Sequence, residues 1–160
     1  MTLFAKIFTR DIALLTLTLA AWQWLDPAGP MTSWLITALT LLCAFLFHEW
    51  GHWLGARWSH AIVYPPTHLF SGFLYNFDAQ RNSRCQFLVT SIAGFIATGL
   101  FLLLFYLGLP EHHPATSSIR AGAAVLAALT VIFEFPIAIA VALGKPIPAL
   151  ALFRDARKQR

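Results

Sequence analysis

Two histidines and a glutamate lie close together in one apolar stretch of the chain. The sequence His48-Glu49-Trp50-Gly51-His52 places two imidazoles four residues apart, with a carboxylate beside the first. Residues four apart share one face of a helix, so both imidazoles can bind a single zinc ion. Glu49 is then placed to take a proton from a zinc-bound water, whose pKa the metal lowers towards about 7. The pattern predicts a hydrolytic zinc centre with His48 and His52 as ligands and Glu49 as general base.

The apolar surroundings of this motif make it more informative than the same five residues in a soluble protein. Ionisable side chains inside an apolar span are costly unless something binds them, and they mark functional sites by default. The alternative interpretation is a polar network between helices that holds no metal.

A zinc site needs a third protein ligand, for which Glu134 is the best candidate. Glu134 and His48 lie at nearly equal depths in their apolar segments, 121–143 and 34–58, so their side chains can meet. Pro136 is expected to kink or open the helix near Glu134. His60 follows His48 by twelve residues, about 18 Å along a helix, which is too far for one ion. The alternative for Glu134 is a protonated carboxyl hydrogen-bonded to a neighbouring helix.

The composition indicates that lipid, rather than water, surrounds most of the chain. Its 160 residues are 58% hydrophobic and only 11% charged, with a mean hydropathy of +0.67. Soluble domains carry about 25% charged residues. This composition excludes a secreted disulfide scaffold, a disordered tail and a typical nucleic-acid module. The two cysteines, Cys43 and Cys85, give no disulfide framework.

Four apolar segments predict an all-α membrane protein with four transmembrane helices. They run roughly over 12–25, 34–58, 87–109 and 121–143, and the last three exceed the length of about 20 residues that a span needs. The first is shorter and can also be interpreted as a signal sequence. We favour a retained helix because Asp11 and Trp22-Gln23-Trp24 make a poor cleavage region.

Between the second and third spans, alternating aromatic and small residues at 70–77 predict a short cytoplasmic strand or hairpin.

The basic residues predict the orientation in the membrane. Of the 11 Lys and Arg residues, all but Arg120 share one side of the membrane if the N-terminus is cytoplasmic. Since cytoplasmic segments carry the excess of Lys and Arg, both termini are predicted to be cytoplasmic. The chain then divides into an N-terminal end with the first helix and outer loop (1–33), a membrane core (34–145) and a basic tail (146–160). The end of the tail, 153–160, is expected to lie against anionic lipid.

Two of these segments resemble the site-2 protease family of intramembrane zinc metalloproteases. Residues 48–57 (HEWGHWLGAR) are similar to the active-site helix of the family, which has H-E-x-G-H, a small residue and often Ala-Arg. Residues 93–98 (AGFIAT) are similar to the family pattern Ala-Gly-Pro-hydrophobic-Ala-Asn, with Phe95 in place of Pro and Thr98 in place of Asn. The resemblance covers roughly 34–145. It implies a three-helix catalytic core, one zinc ion per chain, and a membrane-protein or transmembrane-peptide substrate in a bacterial inner or plasma membrane.

The third family motif departs from the pattern. The family supplies an aspartate ligand from Asn-x-x-Pro…Leu-Asp-Gly, whereas Phe133-Glu134-Phe135-Pro136 keeps the proline and no Asp-Gly follows. Glu134 lies about one turn earlier than the expected aspartate. Either Glu134 replaces that ligand or the site is incomplete, in which case the protein is a catalytically inactive binding or regulatory partner.

Other polar residues carry weaker hypotheses. In the related family the region between the motifs holds the substrate extended, so Asn76 is a candidate substrate contact. Close helix packing is the interpretation of three small residues in the third span, Ser91, Thr98 and Gly99.

A membrane iron oxygenase is an alternative function. It would use His48-x-x-x-His52 and His112-His113 as histidine boxes, but the second pair is predicted on the opposite face of the membrane. The prediction is therefore an intramembrane zinc endopeptidase that binds lipid and no nucleic acid.

Overall fold

The computed structural model describes residues 2–25, 29–66 and 68–148, and most of them are helical. The basic end predicted at 153–160 lies outside the described residues. In chain order the elements are α1 (Leu3–Trp24), α2 (Pro30–Trp58), β1 (Val63–Tyr64), β2 (Asn76–Phe77), α3 (Arg84–Gly108), α4 (Thr116–Leu129), a π-helical turn (Thr130–Glu134) and α5 (Phe135–Ala142).

Among the residues that the structure describes, three helical segments are long and apolar enough to cross a membrane. They are Pro30–Trp58, Arg84–Gly108 and Thr116–Ala142, with mean hydropathies of 1.8, 2.3 and 2.4. They confirm the three longer spans as apolar helices, and the chain is a mostly helical membrane protein. The first predicted span is also a helix, of 22 residues, but it is not among the three. The count of four spans therefore stays a prediction.

Large apolar side chains cover the outside of the helical bundle. Exposed fractions reach 61% at Leu104, 64% at Phe133 and 78% at Leu107. Apolar surface as extensive as this is unusual on a soluble monomer and is expected where the surroundings are lipid.

Helix α2 packs closely against α3, and small residues make that approach possible. A Cβ atom at Gly51 would lie 2.6 Å from the Cβ of Ala97, and one at Gly55 would lie 2.7 Å from the Cβ of Ala93. Both would also lie 2.8 Å from backbone oxygens of α3. Two glycines four residues apart therefore let the two backbones pack directly against each other, as in membrane helix pairs.

Two small apolar clusters join α1, α3 and α4 to α2. One combines residues of α1, α2 and α4, and the other combines residues of α2, α3 and α4. Their buried members are Ala21, Ile36, Ala115 and Ile119 in the first cluster and Ala44, Phe101 and Ala123 in the second.

The connection between α2 and α3 contains a minimal antiparallel hairpin. Val63 pairs with Phe77 and Tyr64 pairs with Asn76. The predicted β-structure at 70–77 is thus right only for its last two residues, because residues 70–75 adopt no strand. Pro65 and Pro66 follow β1 directly, and since proline cannot donate to a ladder, they limit that strand to two residues.

Candidate metal centre

Helix α3 fixes the orientation of both motif histidines. The Nδ1 atom of His48 lies 2.8 Å from the hydroxyl of Thr98 and 3.2 Å from the carbonyl oxygen of Gly94. The Nδ1 atom of His52 lies 2.9 Å from the carbonyl oxygen of Thr90. A carbonyl oxygen only accepts hydrogen bonds, so each Nδ1 carries the proton and donates it. In the neutral ring, each Nε2 atom is then left with a free lone pair, as a metal ligand requires.

Gly94 makes room for the second imidazole. A Cβ atom at this position would lie 2.5 Å from both ring nitrogens of His52 and would overlap its Cε1 atom. The ring of His52 therefore lies directly over the backbone of α3, and only glycine at position 94 permits this contact.

The opposite side of the site is formed by Glu134, at the end of the π-helical turn. There the N–H of Phe135 donates to the carbonyl of Thr130, five residues back rather than four. Pro136 has no N–H with which to continue the α-helical ladder to the carbonyl of Ile132, and the wider turn accommodates this loss. The predicted opening of the helix near Pro136 is confirmed.

The three side chains converge on one point. The Nε2 atom of His48 lies 3.2 Å from Oε1 of Glu134, the Nε2 atom of His52 lies 3.1 Å from Oε2, and the two Nε2 atoms are 3.0 Å apart. These are the contacts that the matched depths of His48 and Glu134 predict. Because all the facing atoms present lone pairs, a cation between them would be stabilised. Within the described residues, His48, His52 and Glu134 thus form a group that can hold a metal ion.

The donor set and spacing fit zinc. Two imidazole nitrogens and one carboxylate form a ligand set of catalytic zinc sites, which keep a further position open. Tetrahedral bonds of about 2.0–2.1 Å separate ligand atoms by about 3.3 Å, close to the distances of 3.0–3.2 Å between these side chains. The Glu134 side chain is 39% exposed, so the group opens towards the surface on that side.

Glu49 lies beside the group without belonging to it. Its side chain is buried, with 6% exposed. Its carboxylate interacts electrostatically with His48, His52 and Glu134 and accepts a hydrogen bond from the backbone N–H of Leu74. The predicted general base is thus adjacent to the three candidate ligands, and its position depends on the connection between α2 and α3.

Tyr75 is a member of the site that the sequence analysis missed. Burial, followed by the charges of Glu49 and Glu134, raises the pKa of its phenol. The hydroxyl therefore stays protonated and can act as a hydrogen-bond donor at the site. No spacing rule relates Tyr75 to the motif, since it lies in a loop whose path only the tertiary structure defines.

The interpretation of the small residues of α3 requires two corrections. Thr98 does not serve helix packing alone, because its hydroxyl contacts His48. Thr98 stands where the family pattern has an asparagine, and this was the sequence signal that could have predicted its contact with His48. Gly99 does not allow a close helix approach, because a Cβ atom there would meet no atom of the described residues within 4 Å.

The remaining candidates lie away from the convergence point. Asn76 is in β2 and donates to the carbonyl of Pro65 at 3.2 Å, so its role in substrate binding stays a prediction. His113 stacks on Trp22, with ring centroids 4.1 Å apart. Asp11 of α1 contacts Trp50 of the motif helix. Trp22 lies eleven residues further along α1, about 16 Å from Asp11. The His112-His113 pair is therefore not brought to the motif histidines.

The chain matches no protein-family model, no curated protein and no solved structure. The class that the fold and the site define is a mostly helical membrane protein with a candidate three-ligand metal group.

Proposed function

We propose that this protein is an intramembrane zinc metalloprotease of the site-2 protease type that hydrolyses peptide bonds of membrane-protein substrates. The observation that carries the proposal is the convergence of His48, His52 and Glu134, with Glu49 beside them. Glu134 replaces the family's aspartate as third ligand, and its position in the π-helical turn supports this assignment.

A zinc ion held by His48, His52 and Glu134 would supply Lewis-acid chemistry here, polarising a scissile carbonyl and lowering the pKa of a bound water. Glu49 accepts the proton of that water and passes it to the departing amine. Tyr75 donates a hydrogen bond to the oxygen on which negative charge develops, since its phenol keeps its proton beside the two carboxylates. Thr90, Gly94 and Thr98 hold the imidazoles in the tautomer that leaves each Nε2 available.

The proposal includes the arrangement in the membrane. We place four spans, with α1 retained and both termini in the cytoplasm of a bacterial inner or plasma membrane. The connection between α2 and α3 is then cytoplasmic. A substrate helix must unwind to present its scissile bond, and the β1–β2 hairpin can pair with the extended segment, with Asn76 as a contact.

The test is the zinc content and activity of the purified, detergent-solubilised protein. We expect about one zinc ion per chain without added metal, and cleavage of a quenched-fluorescent apolar peptide in micelles. Glu49→Gln should keep the zinc and lose cleavage, because only the proton acceptor is removed. His52→Ala should lose both. As a matched control, Glu111→Gln changes an exposed glutamate outside the site and should leave both readings unchanged.

Two results would contradict the proposal. Protein isolated without metal, with no gain of cleavage on adding zinc, would remove the hydrolytic mechanism. Zinc-loaded wild type that cleaves no more than Glu49→Gln would instead support the second candidate function, an inactive binding or regulatory partner in the membrane. The observation that favours this second function is the absence of Asp-Gly after Pro136.

A further inference from the structure

Helix α1 lies outside the proposed three-helix catalytic core, yet one of its side chains reaches the loop beside the metal group. The Nη1 atom of Arg10 donates to the carbonyl of Leu69 at 2.6 Å and to the carbonyl of Ser71 at 3.1 Å. One charged group thus fixes two backbone carbonyls of the same turn. Charge-assisted hydrogen bonds of this kind are stronger than neutral ones.

Asp11 connects the same arginine to the motif helix. Its carboxylate accepts from Nε of Arg10 at 2.7 Å and from the indole N–H of Trp50 at 2.9 Å. Trp50 directly follows Glu49, and Asp11 is 8% exposed. The two charged residues therefore join three parts of the chain: α1, the motif helix and the loop.

Aromatic contacts fix α1 against the motif helix along the same face. Phe4 stacks on Trp53 with ring centroids 5.0 Å apart, and Phe8 meets Trp50 edge-on at 5.7 Å. Arg10 consequently extends from a helix whose position relative to α2 is already defined.

The segment that Arg10 holds leads directly to the site. Three residues after Ser71, the buried Leu74 directs its backbone N–H to the carboxylate of Glu49. The next residue, Tyr75, interacts with Glu49 and Glu134. The placement of both groups relative to the metal ligands therefore depends on the turn that Arg10 fixes.

We propose that Arg10 and Asp11 are positioning residues, which make α1 part of the catalytic apparatus by holding the 69–75 segment over Glu49 and the metal group. The catalytic consequence rests on the proposed protease function. This role also explains why an adjacent arginine and aspartate are both largely buried, with side chains 16% and 8% exposed.

The test compares Arg10→Ala, Arg10→Lys and Trp50→Phe with the wild type in detergent. Lys6→Ala is the matched control, since it removes an exposed basic residue one turn earlier on α1. Amide hydrogen exchange, followed by mass spectrometry, is measured separately for segments 68–76 and 48–58. Zinc content and the kcat and KM for the quenched-fluorescent peptide are measured on the same samples.

For Arg10→Ala we expect faster exchange in 68–76, unchanged exchange in 48–58 and unchanged zinc. We expect kcat to fall about 10- to 100-fold, the usual cost of a small misplacement of catalytic groups. Arg10→Lys should restore part of the activity, because it keeps the charge but cannot reach both carbonyls and Asp11 together. Trp50→Phe keeps an aromatic ring, loses the donor to Asp11, and should show a smaller change in the same direction.

Wild-type exchange in 68–76 for both Arg10→Ala and Trp50→Phe would overturn the proposal, as would wild-type kcat in Arg10→Ala. If Arg10→Ala fails to fold, Trp50→Phe and Arg10→Lys decide the result. If the wild type cleaves no peptide, the proposed function fails, whereas hydrogen exchange still decides whether Arg10 holds the segment.

Discussion

The chemistry of the centre depends on which nitrogen of each imidazole carries the proton. Backbone carbonyls at Thr90 and Gly94, together with the hydroxyl of Thr98, face the Nδ1 atoms of the two histidines. Spacing alone predicts that His48 and His52 share a helix face. It does not predict the tautomer, because the acceptors that select it lie on another helix.

A substitution at Thr98 tests this support of His48. Thr98→Val keeps the side-chain shape and removes the oxygen that lies 2.8 Å from Nδ1. We expect zinc affinity to weaken about 10-fold, the lower end of the effect of losing an outer partner of a ligating histidine. Competition with a chromophoric chelator measures the affinity.

Ser91→Ala is the control for the Thr98 substitution. Ser91 is a buried hydroxyl residue on the same helix, but it donates to the carbonyl of Phe87 in its own helix at 3.0 Å. Equal zinc affinities for Thr98→Val, Ser91→Ala and the wild type would show that the Thr98 hydroxyl does not support the site.

At the scale of elements, two departures from regular helix packing build the centre. The glycines at 51 and 55 bring α2 against the backbone of α3. The π-helical turn at Thr130–Glu134 then changes the rotational position of Glu134 relative to α4. A single π turn inside an α-helix is rare, and where it occurs it is frequently at a functional site.

Replacing Pro136 tests whether the π turn directs Glu134. Pro136→Ala supplies an N–H that can donate to the carbonyl of Ile132, which favours a regular α-helix. One residue of helix corresponds to a rotation of about 100°, so the carboxylate would turn away from the histidines. We expect weaker zinc binding together with a higher melting temperature of the metal-free protein, measured by chelator competition and thermal unfolding.

Pro146→Ala is the control for the Pro136 substitution, because Pro146 is exposed and follows the last helix. It should change neither quantity. Unchanged zinc affinity in Pro136→Ala would mean that the proline is not what holds Glu134 at the site.

For the whole molecule, the one basic residue predicted outside the cytoplasm has a local explanation. Arg120 donates to the carbonyls of Phe105 and Tyr106 near the end of α3 and pairs with Glu111 at 2.8 Å. The hydrogen bond and charge of Arg120 lower the pKa of Glu111 below its ordinary 4.5, so the pair persists at neutral pH. The charge of Arg120 is therefore balanced locally, and the orientation in the membrane stays a prediction.

Cysteine labelling tests that orientation. Cys85 is exposed at the start of α3, on the side predicted to be cytoplasmic. With Cys43→Ser, we expect a membrane-impermeant maleimide to label Cys85 in inverted membrane vesicles and not in intact spheroplasts. His112→Cys in a background lacking both native cysteines should show the opposite pattern. Labelling of Cys85 from the outside would reverse the predicted orientation.

The sequence by itself predicted the three long apolar helices to within a few residues of their ends, and the shared face of His48 and His52, because these depend on local composition and helical spacing. The zinc chemistry inferred from the motif stays a prediction. The sequence also predicted that Glu134 and His48 meet, because the depth of a residue in an apolar segment can be counted directly along the sequence. The tertiary structure alone decided the contacts of Thr98, Tyr75 and Arg10. Those contacts depend on the rotation of packed helices and on the path of a loop, which no periodicity in the chain encodes.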